Sequence, residues 1–298
     1  MSDQTPTILC IGSVLWDVIG RATRPMQRGW DMPGRIERLP GGVALNIAMT
    51  LARFGLHPAL LSAVGTDPQG DELIAACKGH GLLTDYIYRS PDLPTDIYMA
   101  VEAANGLIAA IADAHSLEAA GARILTPLQD GRLGSADTPF AGLVALDGNL
   151  TAELLRQIAA SPLFAAADLR VAPASPGKAE RLTALLAHPR ATLYLNKIEA
   201  GLICLTEFAD AAAAAQAFLD RGAHRVLITD GGNDAVLGSA AGLIRRTPPK
   251  VMVTRVTGAG DTFMAAHIAA ELRGETAEPA LEAALASAAQ YVSGEAPA

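Results

Sequence analysis

The chain has 298 residues, half of them hydrophobic and 18% charged, with a formal net charge of -8. That composition is globular rather than disordered, and its acidic balance argues against a nucleic-acid groove or an anionic membrane surface, which need clustered Lys and Arg. Length allows one sizeable α/β domain or two smaller ones.

Cys10, Cys77 and Cys204 are far apart and sit in apolar runs with no Cys-x-x-Cys spacing, which predicts buried reduced thiols and no zinc site. The opening "MSDQTPTILC" lacks the basic region of a signal peptide, and no run of 18 apolar residues occurs. A soluble, cytoplasmic protein is expected.

In chain order, "TILCIGSVLWDVIG" reads as a strand ending at Gly12 and a second extended segment through Asp17. "PGGVALNIAMTLARFG" has helical spacing at Ala44, Ile47, Ala48 and Leu51, with Gly55 as its stop. A strand, "PALLSAVG", and a helix over "GDELIAACKGHG" open a βαβ pattern. "DIYMAVEAANGLIAAIAD" interrupts it, because Asn105-Gly106 between extended apolar runs predicts a type I′ hairpin. Such an insertion is either an edge decoration or part of a lid.

Alternation then resumes. Strands are expected in "GLVALDGNL", "DLRVAPAS", "ATLYLN" and "HRVLITDGG", and helices in "TAELLRQIAAS", "GKAERLTALLAH" and "DAAAAAQAFLDRG". "GLIRRTPPKVMVTRV" predicts two short strands, and the last helices cover 261–273 and 278–291. Repeated strand-helix units imply a mainly parallel sheet with helices on both faces and ligands beyond the strands' carboxyl ends, where Asp17, Asn196, Gly231 and Gly258 are expected. No linker divides the chain, so residues 1–298 read as one main domain with a small appended sheet.

Two glycine sites stand out, Gly41-Gly42 ahead of Asn46 and "TGAGD" at 257–261. No P-loop occurs, and "GAGDTF" lacks the third glycine of a Rossmann fingerprint. Asp261 on a first helical turn has two readings. It serves as a dipole-favoured capping carboxylate, or, with Thr257 as the cap, as a base beside a phosphate held by backbone N–H groups. Asn196 and Glu199 of "NKIE" are either a capping box or an amide and carboxylate that position water on magnesium. Asp17 in an apolar strand either faces solvent or receives ligand hydroxyls.

Together these stretches resemble the ribokinase-like carbohydrate kinases of the PfkB family. "GGVALNIAMTLARFGL" is similar to the family's N-terminal signature, "VTRVTGAGDTFMAAHIAAEL" to its more specific C-terminal one, "NKIE" to its magnesium motif and "LITDGG" to its nucleotide-binding turn. The resemblance implies a ribokinase-like α/β fold with a small β-sheet lid from segments about 15–38 and 95–115. It implies ATP-dependent phosphorylation of a hydroxymethyl group. Asp261 would be the base, Gly258, Ala259 and Gly260 the anion hole, and Asn196 and Glu199 the magnesium residues. Thr229, Gly231 and Thr257 would border the nucleotide, and Asp17, Gly41, Gly42 and Asn46 would grip the acceptor. Potassium is a further cofactor of the family, but Arg255 stands where many members have Asp beside that ion.

Within the family, "GRIERLPGGVALNIA", "LDGNL" and "VAPASPGKAERL" look most like the kinases of pseudouridine, which implies a nucleoside phosphorylated on its 5′-hydroxyl. Leu15 replaces an Asn that many members place two residues before the substrate Asp, which weakens a claim to free ribose. A base would need a flat pocket near Trp16 and Tyr98. The alternative, a sugar or sugar-acid kinase, would need for sugar acids a cation from Arg21, Arg24 or Arg123. A non-catalytic nucleotide-binding regulator is the third reading. The apolar lid strands are expected to pair across a homodimer.

Overall fold

The computed structural model describes residues 5–294. β1 (Ile8–Ile11) is followed by β2 (Leu15–Arg21), β3 (Arg35–Gly41) and α1 (Val43–Arg53). Next come β4 (Pro58–Leu61), β5 (Ala63–Gly65), α2 (Pro68–Gly79), β6 (Tyr88–Ser90) and the hairpin of β7 (Ile97–Ala103) and β8 (Gly106–Asp113). After α3 (His115–Ala120), strands and helices alternate through β9 (Leu143–Asp147), α4 (Ala152–Ala160), β10 (Asp168–Ala172), β11 (Ala191–Asn196), α5 (Lys197–Cys204) and α6 (Ala211–Asp220). β12 (Arg225–Thr229), β13 (Ala235–Ser239), β14 (Gly242–Arg246), α7 (Ala259–Leu272) and α8 (Ala277–Ser293) complete the described chain.

The core sheet has eight strands in the order β14-β13-β12-β11-β10-β9-β1-β4. Pairing is parallel from β12 to β4, and β13 and β14 close one edge antiparallel. Strands such as "ILCI" and "LVALD" are nearly all apolar because helices cover both faces. Leu9 and Ile11 face the core built with α3 to α6, while Ile8 and Cys10 face the one built with α1, α2, α7 and α8. The chain leaves β1 toward β4 on one side and later adds β9 on the other, so the order reverses between β1 and β9. Ligands of open α/β sheets bind outside the strand ends at such a reversal.

A second sheet, in the order β3-β2-β7-β8, stands apart from the first. Asp17 is the third residue of β2 in this sheet, not the carboxyl end of a parallel core strand. The hairpin forms where expected, but its turn differs. Ala103 pairs with Gly106, so Ala104 and Asn105 are the loop, and among the described residues Leu205 is the one non-glycine with positive φ. A type I′ turn needs positive φ at both loop residues and is thereby excluded. Gly106, at φ +98°, takes the left-handed position beside a register shift at Val101 and Glu102.

Three other expectations change. The helix expected over 177–188 is a 3-10 helix over Pro176–Leu185, opened by Pro176 and Gly177, two poor residues for an α-helix interior. The second short strand expected in "KVMVTRV" does not form: Pro248 and Pro249 precede it, and 251–257 runs exposed without a strand partner. β13, absent from the sequence reading, pairs instead with both β12 and β14. All three cysteines are free and buried.

α7 explains how the molecule holds a polar group in its interior. Thr262 to Ala270 are buried without a break, the pattern of a helix enclosed on all sides. Its far end is anchored by charge: Glu271 binds Arg170 of β10 and Arg225 of β12, while the buried His267 Nδ1 meets the Tyr194 hydroxyl at 2.9 Å. Glu271→Ala should therefore destabilise the protein by about 3 kcal/mol or more, because Arg170 and Arg225 lose a shared carboxylate in the interior. Urea denaturation measures this, and a loss below about 1 kcal/mol would contradict it.

Candidate active site

At the switch point the loop after β1 meets the end of β9. Asp147 is fully buried there and accepts four hydrogen bonds, from Ser13 N (2.7 Å), Ser13 Oγ (2.8 Å), Ala44 N (3.0 Å) and Asn149 N (2.6 Å). Burial raises its pKa, and the four donors oppose that rise. Ser13 Oγ also accepts from Val43 N (2.9 Å) and Asn149 Nδ2 (2.9 Å), and Lys178 Nζ donates to Asn149 Oδ1 (2.6 Å). The first N–H groups of α1 are thus satisfied by Ser13 and Asp147, so this helix start is not open to an anion. Gly42 makes the approach possible: its φ is +98°, and a Cβ there would stand 2.5 Å from Ser13 O.

Sequence reasoning missed Ser13, Asp147, Asn149 and Lys178. A signal existed, because Asp147 closes the apolar strand "LVALD" and a charge so placed needs partners, the same argument that singled out Asp17.

Asp17 lies on β2 beside Tyr98 of β7 and Leu39 of β3. Gly41 sits hard against its carboxylate: an added Cβ would stand 2.1 Å from Oδ2. Among the described residues no donor reaches Asp17, and burial pushes its pKa up to about 6. It is a recessed acceptor with no partner among the described residues. Trp16 does not share this face. Strand alternation points it the other way, it is buried, its Nε1 donates to Gln69 O (2.9 Å), and the Arg38 guanidinium lies 4.2 Å over its ring. The aromatic ring beside Asp17 is Tyr98.

Asp261 occupies the first turn of α7. Gly258, not Thr257, is the N-cap, and no side chain caps the helix. Ala259 donates its N–H to Val256 O (3.1 Å), so that amide is engaged. Among the described residues, the N–H groups of Gly258, Gly260 and Asp261 meet no protein acceptor. Open amides at the positive end of a helix dipole favour an anion. One Asp261 oxygen accepts from Asn46 Nδ2 of α1 at 3.0 Å. Burial raises the Asp261 pKa to about 7; the Asn46 bond opposes the rise, and the Asp147, Asp17 and Glu199 carboxylates reinforce it. Asn46, read from sequence as an acceptor contact, is thus also the partner of Asp261.

Asn196 ends β11 and Glu199 lies in the first turn of α5, where they form the complete capping box: Glu199 N donates to Asn196 Oδ1 (2.9 Å) and Asn196 N to Glu199 Oε2 (2.8 Å). Burial pushes the Glu199 pKa to about 7. Thr229 is the register partner of Asn196 on β12, and Gly231 follows at φ +58°. Lys197 pairs with Asp230 at 2.8 Å across the same strand ends. Among the described residues no three His, Cys, Asp or Glu side chains gather closely enough to cage a metal. The donor set suits magnesium, which keeps several waters and binds through one or two carboxylates and substrate phosphates.

The arrangement sets a carboxylate, bonded to Asn46, beside open amides at the start of α7 in an α/β fold. The sequence pattern of the pfkB family carbohydrate kinases matches residues 5–297, and the chain belongs to that family. It is an ATP-dependent phosphotransferase acting on a hydroxyl group. The chain is 31% identical over 267 residues to a pseudouridine kinase of Escherichia coli, covering 87% of this chain and 81% of that one. It is 25% identical to an aminoimidazole riboside kinase of Salmonella typhimurium, covering 76% and 72%. Among solved structures, the Arabidopsis thaliana ribokinase complexed with ribose and ATP superposes with a TM-score of 0.77 at 21% identity, over 97% of this chain and 93% of that one. The fold is ribokinase-like. Among the described residues no helix is long and apolar enough to cross a membrane.

The Asp261 shift has a consequence for stability. Folded Asp261 keeps its proton up to about pH 7, whereas an unfolded Asp releases it near pH 4. The stabilisation from protonation is therefore full below about pH 4 and lost as pH rises through 7. Asp261→Asn, with no proton to lose, should melt at a higher temperature than wild type near pH 8, and the gap should close toward pH 4. Circular-dichroism melts across that range decide it, and a pH-independent gap would count against a raised pKa.

Proposed function

We propose that the chain transfers the γ-phosphoryl group of ATP to the 5′-hydroxyl of a nucleoside, with pseudouridine as the acceptor. The observation that carries the reading is the Asp261 carboxylate, bonded to Asn46 and placed beside the open amides of Gly258 and Gly260. In this mechanism Asp261 takes the hydroxyl proton while the oxygen attacks the γ-phosphorus, the bond to the ADP oxygen breaks in line, and the amides donate to the transferred group as charge develops. Asp17, Gly41, Gly42 and Asn46 hold the acceptor; Asn196, Thr229, Gly231 and Thr257 border the nucleotide. Glu199 and Asn196 would hold water on magnesium. When bound, that ion would supply positive charge to the phosphates.

The likeness to a pseudouridine kinase supports the acceptor, and so does the surround of Asp17. Tyr98 offers a ring on the Asp17 face. Two of the three arginines that are candidates for a sugar acid's cation are engaged: Arg21 with Glu37 and Glu102, and Arg123 with the Ala119 and Ala120 carbonyls and the Tyr88 hydroxyl. The second sheet acts in this reading as a lid, its Asp17 face toward the acceptor. Ile36, Met99 and Ile111 are exposed on its opposite face, which supports a homodimer built there.

ADP release from ATP and magnesium, across pseudouridine, uridine, adenosine, ribose, fructose and 2-keto-3-deoxygluconate, tests the acceptor. Pseudouridine should turn over fastest, and Asp261→Asn should lose roughly 10²–10⁴-fold while still binding ATP. Preference for a sugar would discard the nucleoside, and retained turnover in the variant would remove Asp261 as the base. For the assembly, light scattering should give twice the chain mass for wild type and a single-chain mass for Met99→Glu combined with Ile111→Lys.

A further inference from the structure

The loop that delivers the open amides has no regular structure of its own. Residues 247–257 form neither helix nor strand, and 251–257 are exposed. Fixed amides are nevertheless what an anion hole needs, because donors that must reorganise during the reaction stabilise charge less well. Something outside the loop must hold it.

Thr247 at the start of the loop bonds Asp234, and among the described residues the contacts that hold 254–257 come from the last turn of α8. Thr254 N (2.8 Å), Thr254 Oγ1 (3.1 Å) and Arg255 N (3.3 Å) donate to Val292 O. Arg255 Nε donates to Tyr291 O (2.7 Å), and its guanidinium lies 3.9 Å over the Tyr291 ring. Returning from the other side, the Tyr291 hydroxyl donates to Thr257 O (2.9 Å). Gly258 completes the fit: at φ +88°, a Cβ on it would stand 2.5 Å from that hydroxyl. A helix ends in unsatisfied carbonyls and a negative dipole end, where a cation is favoured, and Arg255 takes that place.

We infer that Arg255 and Tyr291 form a staple that positions the Gly258 and Gly260 amides, with the guanidinium as the fixed positive charge of the loop. Neither side chain touches a reacting atom; both are positioning residues. The inference rests on the kinase reading and sharpens it. It also bears on potassium. A monovalent ion beside this loop would need main-chain oxygens, and here Tyr291 O, Val292 O and Thr257 O each already accept from protein donors, with a guanidinium between loop and helix. The residues do not fit the ion, so turnover should not depend on it.

The test uses the full chain, its Arg255→Ala, Arg255→Lys and Tyr291→Phe variants, and two readouts. In steady-state ADP release, Arg255→Ala and Tyr291→Phe should lower kcat about tenfold with acceptor KM within about threefold, and Arg255→Lys should recover part of the loss. Wild-type rates in potassium, sodium and tetramethylammonium chloride should agree within about twofold. By calorimetry, the ratio of ATP to ADP affinity should fall in Arg255→Ala, because the γ-phosphate reads the amides and ADP does not.

Unchanged kcat in folded variants, or an unchanged affinity ratio, overturns the staple, as does a rate that potassium raises tenfold in wild type. A wild-type protein that binds ATP and releases no ADP fails the kinase reading alone, and the affinity ratio still decides the staple. Binding of neither nucleotide overturns both.

Discussion

The constraint on which the structure turns is a half-buried carboxylate at the head of a buried helix, held by one side-chain hydrogen bond. Asp261 has Asn46 as its side-chain partner, and three other carboxylates disfavour its charged form further. Such a group persists because α7 is buried from Thr262 to Ala270 and its far end is bound to two arginines through Glu271. The helix cannot turn the carboxylate toward solvent without tearing both anchors. Stability invested in the sheet is thereby transmitted to this carboxylate, a common way for a fold to maintain a local environment that would not survive alone.

Crowded charge gives the site its chemical direction. Asp17, Asp147, Glu199 and Asp261 come from four different elements, and burial raises the pKa of each. Asp147 is answered by four donors and serves to tie the β1 loop, α1 and β9 together. The remaining three have fewer protein partners than a buried carboxylate ordinarily commands, with Asp17 lacking any among the described residues. A ligand bringing hydroxyl donors and a metal-complexed phosphate is what would lower the energy of all three together.

Much of this was legible beforehand. Continuous apolar strands alternating with helices gave the parallel sheet, and "GAGD" ahead of a long apolar pattern gave the start of α7, because both depend on local pattern. What stayed hidden depended on partners distant in the chain. The Asn46–Asp261 bond and the Asp147 donors have no local trace beyond an unexplained charge, whereas the opposite facing of Trp16 and Asp17 followed from strand alternation and was overlooked. Turn chemistry also misled: Asn105-Gly106 did mark a hairpin, but a one-residue offset made glycine the strand residue and left alanine in the loop. β13 was missed because "AVLGS" is short and ends near glycines, so its strand character comes from the neighbours on either side.

The Asn46–Asp261 contact joins residues 215 positions apart, and the Ser13–Asp147 contact spans 134. During synthesis these closures come in a fixed order. The Ser13–Asp147 contact can settle once β9 has emerged, but Asp261 arrives only with α7, and the turn bonded to residues 254–257 lies in α8. In the proposed mechanism the acceptor residues would therefore be gathered before the base. Loop-closure entropy makes contacts of this span slow to form, so the Asn46–Asp261 bond is expected to close late in folding.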